Sequence, residues 1–251
     1  MRHNLGETSM KVTWHGTIVS IQPRTRVWRY VTDNRTHYHL GYLLFIAREA
    51  VDKQGKPELS SDNIWDDECN DEEHDRNAGK PWFSVAVSEK QLMTLRFRIG
   101  DRVQGTAWTP QYPEREFADF YRAGSMKTLE HSVLQAQPPA PPWMYFPVPL
   151  RVYEERGARM LSKSLWQTKC FPCVWANMAN VEIQWDFDRD IKKHRFETFC
   201  YGPKSCKFYK MGRPRSVPYK NRCAALDDGC LDDLCTENRN EDDFEWDAED
   251  R

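Results

Sequence analysis

Four cysteines of this 251-residue chain are spaced like the ligands of a metal ion. Two residues separate Cys170 from Cys173, and after 26 more residues a second close pair follows, Cys200 and Cys206. A tight turn with two intervening residues presents both thiolates to one ion, and a second pair on a neighbouring turn completes a tetrahedron. The sequence therefore predicts a Zn²⁺ site formed by Cys170, Cys173, Cys200 and Cys206.

Two alternatives to zinc stay open at this point. The five residues between Cys200 and Cys206 are also compatible with a [4Fe–4S] cluster held by four thiolates. The thiols could also be buried or spare and hold no metal. Seven of the eight cysteines lie after position 169, which is unlike a secreted disulfide framework and favours metal binding in a reducing compartment.

The residues between the two cysteine pairs indicate a β-hairpin. Residues 180–185 and 194–199 alternate between apolar and polar side chains, and a polar stretch joins them. A hairpin with a cysteine pair near its base resembles a zinc ribbon, and this resemblance implies a metal-stabilised module. The second pair is wider than the two to four intervening residues usual in ribbons.

A basic segment overlaps this module. Ten Lys or Arg residues lie between positions 192 and 222 against one acid, Glu197, and aromatic residues are interleaved with them. Cations that neutralise phosphates, beside rings that stack on unpaired bases, suit single-stranded nucleic acid. We therefore predict nucleic-acid contacts at Lys192, Lys193, Arg195, Lys204, Lys207, Lys210, Arg213 and Arg215. The alternative is a solvated face that pairs with the acidic C-terminal tail.

Residues 11–135 have the period-two pattern of consecutive strands, with an acidic insert at 52–77 and a short helix at 88–97 capped by Ser88. Residues 14–21, with a glycine in the first strand, and 99–105, with a Gly-Asp turn, resemble those of an OB-fold; an SH3-like barrel is the rival. The resemblance implies a small β-barrel with an oligonucleotide platform. The candidate platform residues are Trp28, Tyr30, Tyr38 and Tyr42, which could equally fill the barrel.

The expected fold is thus mainly β and is divided into five parts. These are a flexible N-terminus (1–10), an OB-like barrel (11–135), a proline-rich connector (136–149), a four-cysteine metal module (150–222) and a disordered acidic tail (223–251). Twelve carboxylates follow position 226. Such a tail could recruit a protein partner or compete with nucleic acid for the basic segment.

Several functions are disfavoured by what the sequence lacks. It has no apolar run long enough to span a membrane and no signal-peptide pattern, so we expect an intracellular protein. It has no Gly-rich phosphate loop, nucleophile elbow or HExxH motif. The histidines are interpreted as ordinary surface or core residues, with a contact role plausible for His194 alone.

The predicted function is non-catalytic binding of single-stranded or structured DNA or RNA. One alternative is a metal- or iron–sulfur-dependent nuclease, in which Mg²⁺ would be bound either by Glu182 and Asp186 or by Asp186, Asp188 and Asp190. The other is a protein-interaction adaptor that uses the acidic and basic blocks.

Overall fold

The structure is a computed structural model that describes residues 9–30, 35–47, 81–112, 115–133, 146–186, 191–212, 216–219, 222–225, 228–237 and 239. The strands are β1 (Lys11–Tyr30), β2 (Arg35–Ala47), β3 (Trp82–Val87), β4 (Arg102–Trp108), β5 (Tyr121–Glu130), β6 (Arg159–Met160), β7 (Ala176–Asp186), β8 (Ile191–Cys200), β9 (Ser216–Tyr219) and β10 (Arg222–Ala225). The helices are α1 (Glu89–Leu95), α2 (Leu150–Arg156), α3 (Lys163–Leu165) and α4 (Asp228–Cys235), and a π-helical turn (Trp166–Cys170) continues α3.

The long strand β1 organises the sheet because its two halves have different partners. Residues 11–17 pair antiparallel with β4, whereas residues 17–29 pair antiparallel with β2. Gly16 lies at this change of partner with a φ of +153°, and a Cβ at Gly16 would lie 2.5 Å from the Ala47 carbonyl oxygen. Only glycine combines this backbone angle with so close an approach.

Of the described strands, eight form one open, mixed sheet, and β9 and β10 pair with each other in a separate two-stranded sheet. The continuous path of the larger sheet is β3-β2-β1-β7-β8-β6, and β4 and β5 extend from the first half of β1. A single parallel bridge joins Val85 of β3 to Phe120, with the Ala86 N–H donating to the Phe120 carbonyl at 2.8 Å. The mainly-β prediction is confirmed. The closed barrel predicted for residues 11–135 is wrong, because the contact between β3 and β5 does not continue as a ladder beyond this bridge.

Two locally encoded elements are present as predicted. Helix α1 begins after Ser88, whose hydroxyl accepts the Gln91 N–H while the Gln91 side chain accepts the Ser88 N–H, a capping box. The predicted hairpin is the antiparallel pair β7–β8. In both cases the signal lies within about 25 residues of sequence, so no distant partner is needed to specify the element.

The predicted barrel and metal module are not separate sheets. Strand β7 pairs in parallel with residues 26–30 of β1, which makes one sheet of both regions. The Asn177 side chain donates to Thr25 Oγ1 at 2.6 Å, and the core is one continuous apolar cluster. The end of the predicted connector is also packed, because the Tyr42 hydroxyl donates to the Val148 carbonyl at 2.6 Å.

The part of the acidic tail that the structure describes is folded rather than disordered. Helix α4 buries Leu231 and Asp232. The Asp232 carboxylate accepts the Met160 N–H of β6 at 2.8 Å and the Arg35 guanidinium at 2.6 Å. A buried carboxylate with these partners is satisfied, so an acidic composition did not prevent folding here. Residues 1–8, 48–80, which include the acidic insert, 134–145 and 240–251 lie outside the described residues.

Candidate metal centre and nucleic-acid surfaces

The first cysteine pair lies in a hydrogen-bonded turn between the π-helical turn and β7. The Cys173 N–H donates to the Cys170 carbonyl at 2.9 Å, and the Ala176 N–H donates to the Cys173 carbonyl at 3.1 Å. The turn is anchored to β1, because the Phe171 carbonyl accepts Gln22 Nε2 at 2.7 Å. The sequence Cys-Phe-Pro-Cys therefore has a fixed place beside the sheet.

The second pair lies at the end of β8 and in the loop that follows. Cys200 is opposite Ala176 of β7 on one side and Arg159 of β6 on the other. The Gly202 N–H points at Cys200 Sγ at 3.3 Å, an arrangement that stabilises a thiolate. A second turn holds Cys206, whose N–H donates to the Pro203 carbonyl at 3.2 Å.

The four thiols, which we call the cysteine centre, are close enough to affect one another. Burial and then the Cys200 and Cys206 thiols raise the pKa of Cys170 to about 12. Burial and then Cys200 raise the pKa of Cys173 well above its usual value. Among the described residues, however, no group of three or more His, Cys, Asp or Glu side chains is arranged to hold a metal ion. The structure thus brings the predicted ligands into one neighbourhood without placing them as a coordination shell.

Lysines stand beside both cysteine pairs in the sequence, and we call this set the lysine surface. Residues 161–175 and 200–212, which carry the two pairs, contain five lysines and no Asp or Glu: Lys163, Lys169, Lys204, Lys207 and Lys210. All but the half-buried Lys163 are exposed. The Ser162 N–H donates to the Lys210 carbonyl at 2.9 Å and so joins the two segments. Three of the lysines predicted as nucleic-acid contacts therefore belong to this surface.

A second exposed surface lies on the outer side of β1 and β2, and we call it the ring face. Trp28 is half-buried, and Tyr38 is 50% exposed and lies opposite Arg26 in the β1–β2 register. Two arginines share this side with Trp28, but Arg26 pairs with Glu182 and Arg24 pairs with Glu116. This surface therefore offers rings for stacking with little uncompensated positive charge.

Tyr42 does not belong to the ring face, although it has the same strand parity as Tyr38. It is fully buried. The β1–β2 register shifts by one residue between the pairs Arg24–Gly41 and Thr25–His39, which leaves Leu40 as a bulge. One extra residue reverses the side on which later side chains emerge. Tyr42 is thus a core residue, and its predicted contact role is wrong.

The Arg195 guanidinium forms an ion pair with a buried carboxylate. Its guanidinium pairs with Glu197, a fully buried carboxylate that also lies 3.8 Å from Arg29. Because an unpaired buried carboxylate is costly, Arg195 has a structural role here. Lys192 and Lys193 lie in β8 with side chains outside the described residues, as is the Tyr30 side chain. Arg213 and Arg215 are outside them entirely.

A cleft continues from the ring face toward β5. Its volume is about 510 Å³, and its lining includes Leu40, Tyr121 and the exposed Arg122. The Arg122 guanidinium lies over the Tyr121 ring, 5.4 Å from its centroid. The cleft adds a cation and a ring that sequence reasoning missed, because neither stands in an evident motif.

Two histidines of β2 that the sequence indicates as ordinary surface or core residues, His37 and His39, pack against the Phe199 and Tyr153 rings. Nδ1 of His37 lies 3.1 Å from the Tyr201 hydroxyl, while His37 Nε2 and both ring nitrogens of His39 have no hydrogen-bond partner. Burial, then the Arg35 charge, lower the pKa of His37 well below its usual value. Burial lowers the pKa of His39 to about 4. Both imidazoles are therefore neutral at pH 7.

The carboxylates proposed for a nuclease do not form a site in the described residues. Glu182 is buried and pairs with Arg26. Asp186 ends β7, and Asp188 and Asp190 lie outside the described part of the chain. A carboxylate held by an arginine is poorly placed to bind Mg²⁺.

Comparison with known proteins adds no relative to this picture. No protein-family model, curated protein sequence or solved structure matches the chain. Within the described residues, no helix has both the length and the apolar character that a membrane crossing needs.

Proposed function

We propose that this chain is a non-catalytic nucleic-acid-binding protein for single-stranded or structured DNA or RNA. The observation that carries the proposal is the lysine surface, whose two segments contain five lysines and no carboxylate. A phosphate backbone binds such a surface by releasing condensed counterions, and no acid of these two segments repels it.

The ring face supports the same proposal because it offers aromatic rings on which bases can stack. Trp28 and the half-exposed Tyr38 can each stack on an unpaired base, which is tolerant of base identity. The arginines beside them are paired with carboxylates, so the ring face would contribute stacking while the lysine surface contributes charge. This division favours unpaired strands over a regular duplex.

The strand arrangement favours an OB-like core for this function. Strands β3-β2-β1-β4-β5 follow one another in the sheet, α1 lies between β3 and β4, and Val85 bridges to Phe120. We propose that these strands are an opened OB-like arrangement to which β7 and β8 have been added. OB-folds bind oligonucleotides on the outer side of their strands, which is where Trp28 and Tyr38 lie.

Charge-removing variants test the lysine surface. The triple variant Lys204→Ala, Lys207→Ala and Lys210→Ala should bind a fluorescent single-stranded oligonucleotide more weakly in an anisotropy titration. For each lost phosphate contact its salt slope should fall by about 0.7. The matched control removes three exposed lysines elsewhere, Lys11, Lys90 and Lys127, and should keep both affinity and slope. Equal losses in the two triple variants would contradict the proposal.

Two further outcomes distinguish the alternative functions. If the parent protein cleaves labelled oligonucleotides when Mg²⁺ is added, the chain is a nuclease. If the parent shows negligible affinity for single strands, hairpins and duplexes even at low salt, the adaptor function replaces nucleic-acid binding.

Substitution of Trp28 or Tyr38 by Ala should cost about 1–3 kcal/mol of affinity where a base stacks on the ring.

A further inference from the structure

We propose that the cysteine centre binds one Zn²⁺ through Cys170, Cys173, Cys200 and Cys206, and that the buried Arg159 guanidinium neutralises part of its negative charge. This inference is independent of nucleic-acid binding. The four thiolates bind the metal, and Arg159 lowers the free-energy cost of burying their negative charge.

Arg159 needs a negative partner. It is 8% exposed, its Nη2 donates to the Pro203 carbonyl at 2.6 Å, and its Nε has no hydrogen-bond partner. In the described part of the chain no carboxylate pairs with it. A buried guanidinium without an anion is costly, and the Pro203 carbonyl and the Tyr209 ring, whose centroid lies 3.5 Å from Arg159 Cζ, offset only part of that cost.

The position of Arg159 indicates which anion it would neutralise. Arg159 lies directly opposite Cys200 in the β6–β8 ladder, so the two side chains emerge on the same side of the sheet. The Pro203 carbonyl that it binds belongs to the turn that holds Cys206. Arg159 therefore reaches both the strand and the loop that supply the second cysteine pair.

The charges balance if the thiols bind a divalent ion. Four thiols that lose their protons to solvent and bind Zn²⁺ leave a centre with two net negative charges. Arg159 offsets one of them. Arg239 is a second buried cation at this place, because its guanidinium donates to the Gly202 carbonyl at 2.5 Å.

The backbone around the thiols favours a single small ion over a larger cluster. Cys173 and Cys200 are buried, and the Trp175 side chain lies against Gly202, where an added Cβ would be 3.4 Å from the Trp175 Cβ. A tetrahedral Zn²⁺ with Zn–S bonds of about 2.3 Å holds its four sulfurs about 3.5–4 Å from one another. A cluster with its own sulfide ions would need additional space between the two turns.

Elemental analysis of the purified full-length protein tests the metal directly. We expect one zinc per chain and, after exchange with Co²⁺, the visible bands and thiolate charge transfer of tetrahedral Co(II). Cys200→Ser should lose the metal, whereas Cys230→Ser, a change at an exposed cysteine outside the centre, should keep it. Iron with acid-labile sulfide would overturn the assignment to zinc. A metal-free protein that fails to bind added Zn²⁺ would overturn the centre itself.

The role of Arg159 is tested by competition with a chelator of known zinc affinity. Arg159→Gln should weaken zinc binding by about 10- to 100-fold, the range found for groups that support metal ligands. Arg159→Lys should restore part of the loss, because it restores the charge. The matched control is Arg151→Gln on the exposed side of α2, which should bind zinc like the parent. Unchanged affinity in Arg159→Gln, with circular dichroism like that of the parent, would remove Arg159 from the centre.

Discussion

Among the described residues, five arginines have less than a tenth of their surface exposed: Arg29, Arg35, Arg156, Arg159 and Arg239. Each binds a carboxylate or backbone carbonyls. Arg35 pairs with Asp232, and Arg239 donates to three carbonyl groups. Since a buried cation must be paired, these side chains hold neighbouring segments of the fold together and do not face solvent.

The two packed histidines give the fold a pH dependence with a definite sign. Their pKa values are lowered in the folded state, and unfolding returns them to about 6.5. The unfolded chain therefore binds more protons, so the free energy of unfolding should fall as the pH decreases from 6.5 toward 5. Each histidine contributes a slope of at most about 1.4 kcal/mol per pH unit. Urea unfolding at several pH values measures this slope.

Substitution separates these histidines from other titrating groups. His39→Phe keeps an aromatic ring beside Tyr153 and Tyr201 and should flatten the pH dependence. His15→Gln, at an exposed position of β1, should leave it unchanged. The explanation fails if His39→Phe retains the slope of the parent between pH 5 and 6.5.

At the scale of elements, the end of α4 closely approaches Gly157, the residue that follows α2. Gly157 has a φ of +65°, and a Cβ there would lie 1.7 Å from the Cys235 carbonyl oxygen. Gly157→Ala should therefore displace α4 and lower the free energy of unfolding by more than about 1 kcal/mol. Thermal unfolding and the rate of proteolysis after residue 225 measure the two effects.

A second glycine provides the matched control for that change. A Cβ at Gly124 would meet only Thr106 Oγ1, at 3.7 Å, so Gly124→Ala should leave stability nearly unchanged. If Gly157→Ala is equally harmless, the Cys235 carbonyl does not lie against Gly157 as described.

The sequence indicated α1 and the β7–β8 hairpin because their signals are local, as the Ser88–Gln91 capping box shows. The sequence did not indicate that Asp232 is buried. The acidic composition of the tail does not show that this one carboxylate accepts hydrogen bonds from the Arg35 guanidinium and the Met160 N–H. The sequence also could not predict that Tyr42 lies in the core, since the bulge that turns it inward depends on the register between β1 and β2. Four spaced cysteines were visible in sequence, but their counter-charge, Arg159, becomes evident only through the β6–β8 register.

At the scale of the whole molecule, one sheet joins the two regions that composition separates. We therefore expect one cooperative unfolding transition, in which hydrogen exchange of β4 and of β8 responds together to denaturant. Removal of all residues after Asn221 should destabilise this entire unit, because it deletes Asp232 and Arg239. Protection of β4 that persists after β8 has exchanged would show two independent units instead.

The parallel pairing of β1 with β7 also has a consequence for how the chain is made. The partner of residues 26–30 lies roughly 150 residues later in the chain, a separation that makes such contacts slow to form. During synthesis this stretch of β1 leaves the ribosome long before β7 exists, and its edge groups stay open to other chains. Newly made protein should depend on chaperones during this interval, and its yield should rise when translation is slowed by lower temperature.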